Sequence, residues 1–144
     1  MRGIDLSAKS VVTARSEARA EGLADKVRFE VGNGATDPLE PRDVVVLDRV
    51  LCCYPRAQEL ISHTLAAARQ VYAFTIPRNE GALRYYWQAG FWVENAWHAL
   101  RRRQFRAYLH DPVLIDQWLQ DEGFSPHRRF SRRGWLHAVY VQSP

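Results

Sequence analysis

Along the first half of the chain, apolar positions switch between a helical period and a strand period. Gly3-Ile4-Asp5-Leu6-Ser7 reads as a short strand that ends in an acid and runs directly into a helix. Ala8, Val11, Val12 and Ala18 then recur at helical spacing through residues 9–21, and Gly22 supplies a stop. Val27, Phe29 and Val31 alternate with Arg28 and Glu30, which predicts a strand near a sheet edge. The uninterrupted run Val44-Val45-Val46-Leu47 has the pattern of a parallel strand covered on both faces. A helix fits residues 56–69, with Leu60, Ile61, Leu65 and Ala68 on one side, and residues 71–76 form another buried strand closed by Pro77. Strands linked by helical crossovers predict an α/β fold built on a doubly wound, mostly parallel sheet.

The second half has another character. Residues 80–103 read as a helix that carries Trp87, Phe91, Trp92 and Trp97 together with Tyr85 and Tyr86. Asp111 can cap the helix that follows, Pro112 suits its first turn, and Gly123 ends it. Leu114, Ile115, Trp118 and Leu119 make its inward face. Phe130 and residues 136–141 read as two closing strands about Gly134, close enough to form an antiparallel hairpin. No internal repeat, low-complexity stretch or linker interrupts the chain, so residues 1–144 read as a single domain.

Composition narrows this modestly. A chain of 144 residues, 47% of them hydrophobic, can bury a real core. No run approaches the roughly 20 apolar residues of a membrane span, and the start lacks the regions of a signal peptide, so a cytoplasmic location is the expectation. The net charge of +4 comes almost wholly from arginine, with Lys9 and Lys26 the only lysines. Arginine suits phosphate and carboxylate partners, but charge alone is weak evidence and no nucleic-acid motif accompanies it. Cys52 and Cys53 are adjacent, which is neither metal-site nor redox spacing; they read as small buried hydrophobes, and no metal is expected. Gly-x-Ser-x-Gly and His-Glu-x-x-His are absent, which argues against hydrolase and metalloprotease classes.

Three segments carry a resemblance. They are the opening Gly3-Ile4-Asp5-Leu6-Ser7, the stretch Val-Arg-Phe-Glu-Val-Gly-Asn-Gly-Ala at 27–35, and Asp-Val-Val-Val-Leu-Asp-Arg-Val-Leu-Cys-Cys-Tyr-Pro at 43–55. In this order they resemble the class I S-adenosylmethionine-dependent methyltransferases from their second strand onward. The ending of the third segment, with Phe-Arg-Ala-Tyr-Leu-His at 105–110, is similar to magnesium-protoporphyrin O-methyltransferases and the small-molecule enzymes near them. The resemblance implies a Rossmann-like methyltransferase fold with S-adenosylmethionine as cofactor and a small, apolar or aromatic methyl acceptor. It places Asp5, with Leu6 beside it, at the cofactor ribose, Asn33 and Gly34 at the adenine, and Asp48 at the methionine moiety or the substrate. Arg49 would pair with a substrate carboxylate, and Tyr54, Trp87, Phe91 and Tyr108 would wall the acceptor. Tyr54 and His110 are the catalytic candidates for handling a proton, and residues 80–110 stand where the family inserts a lid.

Each residue also has a plainer reading. Asp5 could cap a helix, although Ser7 can do that instead. Asn33-Gly34 could be only a turn, Asp48 a loop contact, His110 a loop residue, and half of the aromatic stripe ordinary core. The basic end at Arg101, Arg102 and Arg103 admits contact with an anionic membrane surface as the lesser reading, so membrane contact is not the main expectation.

In the family, the ribose acid follows a glycine-rich turn by about 20 residues; here no such turn precedes Asp5. The expectation is a domain lacking the family's first strand and helix, whose strands either close up or leave an edge open to a second copy. Two functions therefore stand side by side. One is a methyltransferase shortened at its N-terminus; the other is a non-catalytic remnant that binds or self-associates.

Overall fold

The computed structural model describes residues 1–143 and divides the chain into two compact units, Met1–Leu39 and Glu40–Pro144. In the first unit, strand β1 (Arg2–Asp5) and strand β2 (Arg28–Val31) pair in parallel around helix α1 (Ala8–Ala20). Ser7 caps α1, its Oγ accepting from the Ser10 amide at 3.2 Å. Val11 and Ala18 are its buried residues, whereas Val12 of the expected stripe is 64% exposed. Gly3 faces Phe29 across the ladder, and a Cβ there would lie 2.6 Å from the ring. Only glycine lets β1 approach so closely.

The second unit holds strand β3 (Arg42–Asp48), helix α2 (Ala57–Leu65), strand β4 (Ala68–Pro77), helix α3 (Ala82–Leu100), helix α4 (Pro112–Asp121), strand β5 (Phe124–Arg132) and strand β6 (Trp135–Gln142). Its sheet has the order β3-β4-β6-β5; β3 and β4 are parallel, while β6 runs antiparallel to both β4 and β5. The β5–β6 hairpin turns on Arg133 and Gly134, at φ 50° and 81°. Two successive left-handed residues make the tight turn whose twist suits a hairpin.

One face of this sheet forms the core. Tyr72, Phe74 and Ile76 of β4 lie in register with Tyr140, Ala138 and Leu136 of β6 and are all buried. Leu60, Ile61 and Leu65 of α2 and Ile115 and Leu119 of α4 supply the apolar residues of the helices that the sheet face needs. Asp111 caps α4 as expected, its carboxylate accepting from the Val113 amide at 2.8 Å, but Leu114 of the expected inward face is 47% exposed.

Three sequence expectations are corrected. The strands form two sheets rather than one continuous doubly wound sheet, and the larger sheet is mixed. The run Val44–Leu47 is not covered on both faces: β3 is an edge strand with Val44 and Val46 more than half exposed. The helix expected over 56–69 stops at Leu65, because the chain turns at Ala66 and Ala67 and enters β4 at Ala68, opposite Arg42.

Candidate functional site

Ligands of open α/β sheets sit beyond the carboxyl ends of the parallel strands. In the second unit those ends are Asp48 of β3 and Pro77 of β4. The antiparallel β6 brings its amino end to the same place, with Trp135 opposite Pro77.

Beyond Asp48 the chain turns sharply at Arg49, whose φ of 56° is left-handed and uncommon for a residue other than glycine. The Arg49 amide donates to the Thr75 carbonyl at 3.3 Å, and a single 3-10 turn over Leu51–Cys53 buries Leu51 completely. The turn aims the Arg49 guanidinium over the Trp135 ring, 4.7 Å from its centroid. Trp135 meets Trp87 edge-on at 5.4 Å, and Trp87 meets Phe91 at 5.5 Å. Arg49, Trp87 and Phe91, far apart in sequence, thus share one aromatic cluster through Trp135.

Tyr54, Tyr108 and His110 gather about the same loop. His110 Nε2 lies 2.9 Å from both the Leu51 and the Tyr54 carbonyl oxygens. Carbonyls only accept, so this nitrogen carries a proton and Nδ1 is the ring atom left for other partners. Tyr108 donates its amide to the Cys52 carbonyl at 2.7 Å and stacks its ring on His110. Behind this segment, Asn95 of α3 clamps Ala107, accepting from its amide at 2.7 Å and donating to its carbonyl at 2.8 Å. Asn79 donates to the His110 carbonyl at 3.3 Å. Replacing Asn95 by leucine is expected to speed hydrogen exchange at the Ala107 and Tyr108 amides at least tenfold, about 1.4 kcal/mol of local opening, while Tyr72 and Phe74 stay protected.

Across the sheet, Asp48, Thr75, His137 and Phe130 fall in one row of register, with Thr75 Oγ1 3.3 Å from His137 Nδ1 and Phe130 stacked on the imidazole. Sequence reasoning found Asp48 but missed this row, and it missed Trp135, because strand pairing alone creates both. Cys52 is buried with its sulfur 3.8 Å from that of Cys53. The neighbouring thiol first, and burial second, push its titration far above the ordinary range, which keeps it from acting as a thiolate.

In the first unit, Asp5 ends β1 with its carboxylate exposed, one oxygen accepting from the Ser7 amide at 2.7 Å. Leu6 is 65% exposed beside it. The amide oxygen of Asn33 accepts from the Ala35 amide at 3.0 Å, and the Asn33 amide donates to Asp37 at 2.7 Å, so Asn33 and Gly34 lie in an ordered turn.

No protein-family model matches the sequence, and no curated protein does. Solved structures do match. Magnesium protoporphyrin IX methyltransferase from Synechocystis PCC 6803, with bound SAH, is similar over 99% of this chain and 64% of its own, with a TM-score of 0.76 and 23% identity. The fold is that of the class I methyltransferases. An O-methyltransferase family protein from Burkholderia thailandensis aligns over 99% of this chain and 43% of its own (TM-score 0.77, 20% identity). An O-methyltransferase family 2 protein from Planctomyces limnophilus, in complex with apigenin, aligns over 98% and 42% (TM-score 0.73, 14% identity). The chain spans less than two thirds of each of these methyltransferases. Among the described residues, no cluster of His, Cys, Asp or Glu could hold a metal ion in this methyltransferase fold.

Proposed function

We propose that this chain is part of an S-adenosylmethionine-dependent methyltransferase for a small, apolar or aromatic acceptor. The observation that carries the reading is Asp5. It stands exposed at the carboxyl end of a parallel strand, oriented by the Ser7 amide, with its other oxygen available to the paired hydroxyls of a ribose. Methyl transfer from a sulfonium needs little beyond positioning, since the cofactor supplies a good leaving group. The residues present fit the ribose half of the cofactor; the resemblance assigns Asp48 to its methionine moiety or to the substrate.

The acceptor side belongs to the loop after β3. A guanidinium beside an aromatic wall suits a flat acceptor carrying a carboxylate, with Arg49 pairing the anion and Trp87, Phe91, Tyr54 and Tyr108 lining its faces. A carboxylate acceptor is ionised at neutral pH and needs no base. A hydroxyl acceptor would need one, and Nδ1 of His110 is the atom for it.

Calorimetric titration with S-adenosylmethionine tests this. Binding is expected, and Asp5→Ala should abolish it. Binding that survives Asp5→Ala unchanged would overturn the assignment. No binding at all would favour the second reading, a non-catalytic module that self-associates. The open edge of β3 supports that alternative, with Val44 and Val46 exposed beside the half-buried Val71 and Ala73.

A further inference from the structure

Helix α3 is apolar on both of its sides. Leu83, Trp87, Phe91, Asn95 and His98 are its half-buried positions, turned toward the protein. Tyr85, Trp92, Val93 and Leu100 fall seven, eight and fifteen residues apart, on one stripe that Tyr86 and Trp97 widen. All six are exposed, Leu100 by 79%, Trp92 by 74% and Tyr85 by 72%. The smaller residues between them, Ala89 and Ala96, are exposed too. A helix apolar all round is ordinarily covered on every side, and a bare aromatic stripe of this length marks an interaction surface.

The charges around the stripe say what covers it. Glu94 is the only acid in the helix, and it lies 3.8 Å from His98. Arg101, Arg102 and Arg103 follow the helix, all exposed, with the Arg101 guanidinium 4.0 Å above the Trp97 ring. At the amino-terminal half, Trp87 packs on the β5–β6 turn, 3.4 Å from where a Cβ of Gly134 would stand. Trp87 lies on the half-buried side of the helix, so this contact leaves the exposed stripe bare. Arginines therefore close the carboxyl end of an aromatic face whose helix holds a single acid, Glu94.

From this we infer that α3 docks on an anionic lipid surface. The helix lies in the plane of the interface, with Trp92, Tyr85 and Leu100 at the acyl boundary and the arginines on lipid phosphates. Tryptophan and tyrosine belong at that boundary, where one side is apolar and the other wet. The helix is about 28 Å long at 1.5 Å per residue, and no helix among the described residues is long and apolar enough to cross a membrane. Surface attachment needs the apolar face and the basic charges together. The inference is independent of cofactor binding.

Co-sedimentation of the full chain with vesicles tests it without any substrate. Binding is expected to vesicles of phosphatidylcholine with 30% phosphatidylglycerol (a composition of about one anionic lipid in three), with little to pure phosphatidylcholine. High salt should weaken it. The triple change Arg101→Gln, Arg102→Gln, Arg103→Gln should weaken binding about a hundredfold, at roughly 1 kcal/mol per arginine. Trp92→Glu with Tyr85→Glu, at positions exposed enough to leave folding intact, should remove binding while circular dichroism stays unchanged. Failure to bind anionic vesicles, or binding that the Trp92/Tyr85 variant keeps, would overturn the inference. So would a dimer in sedimentation velocity that Trp92→Glu dissociates.

Discussion

Above pH 10, the second unit is expected to lose stability steeply, and Tyr72 is one of the buried groups responsible. Its ring is fully buried, and burial holds the phenol protonated well beyond the ordinary value near 10. The Thr64 hydroxyl gives its proton to the Leu60 carbonyl at 2.7 Å, so in the 2.8 Å pair with Tyr72 the phenol is the donor. The unfolded chain releases this proton from about pH 10 upward, whereas the folded chain keeps it. The unfolded state then binds fewer protons, so stability present below pH 10 is lost as pH rises toward the folded titration. The loss is about 1.4 kcal/mol per pH unit, roughly 2.7 kcal/mol by pH 12, a large part of a typical domain's 5–15 kcal/mol. Tyr140 adds to it in the same direction, raised by burial and by its 2.6 Å hydrogen bond to the Asp116 carboxylate. Cys52 begins the decline earlier, from its ordinary range near 8.5. Urea midpoints from pH 7 to 12 check this. Tyr72→Phe should cost about 1 kcal/mol at pH 7 yet make the alkaline slope shallower, with Tyr140 and Cys52 keeping the rest; an unchanged slope would refute the account.

The elements were legible wherever one period ruled a segment. Val11 and Ala18 marked α1, Asp111 and Pro112 marked the start of α4, and Gly134 marked the hairpin, because caps and turns are local chemistry. The misreadings were all non-local. Four consecutive apolar residues in β3 implied two covered faces, but that inference presumes a layer packed on each face of the sheet, and the face of Val44 and Val46 is exposed. Ala68-Arg69-Gln70 has no strand signature; pairing with Arg42 draws it into β4 against propensity.

The candidate site divides in the same way. Asp5 and Asp48 were visible because strand ends have a fixed meaning in α/β folds. Trp135 and the Thr75–His137 contact exist only through strand register, and the Asn79 and Asn95 clamps follow no spacing rule. The aromatic helix was read as part core and part lid. Its bare half, Tyr85 to Leu100, could not be told from core by periodicity, since both sides carry the same residue types.

His110→Leu is expected to lower the stability of the second unit by about 2–4 kcal/mol, because two carbonyls, those of Leu51 and Tyr54, lose their shared donor while still largely shielded from water. The damage should concentrate in the loop after β3, where Arg49 already holds a left-handed turn that its surroundings must sustain. His110→Gln separates the two roles proposed for this residue. A glutamine Nε2 can donate to the same carbonyls, so it should recover most of the urea midpoint and leave any S-adenosylmethionine affinity in place. It offers nothing at the position of the imidazole Nδ1, so it cannot take a proton from an acceptor hydroxyl. If His110 only holds the loop, the glutamine variant will equal the parent in methyl transfer to every acceptor. If Nδ1 also serves as base, the same variant will fold and bind normally, lose transfer to hydroxyl acceptors by about 100- to 10,000-fold, and keep transfer to carboxylates that are already ionised.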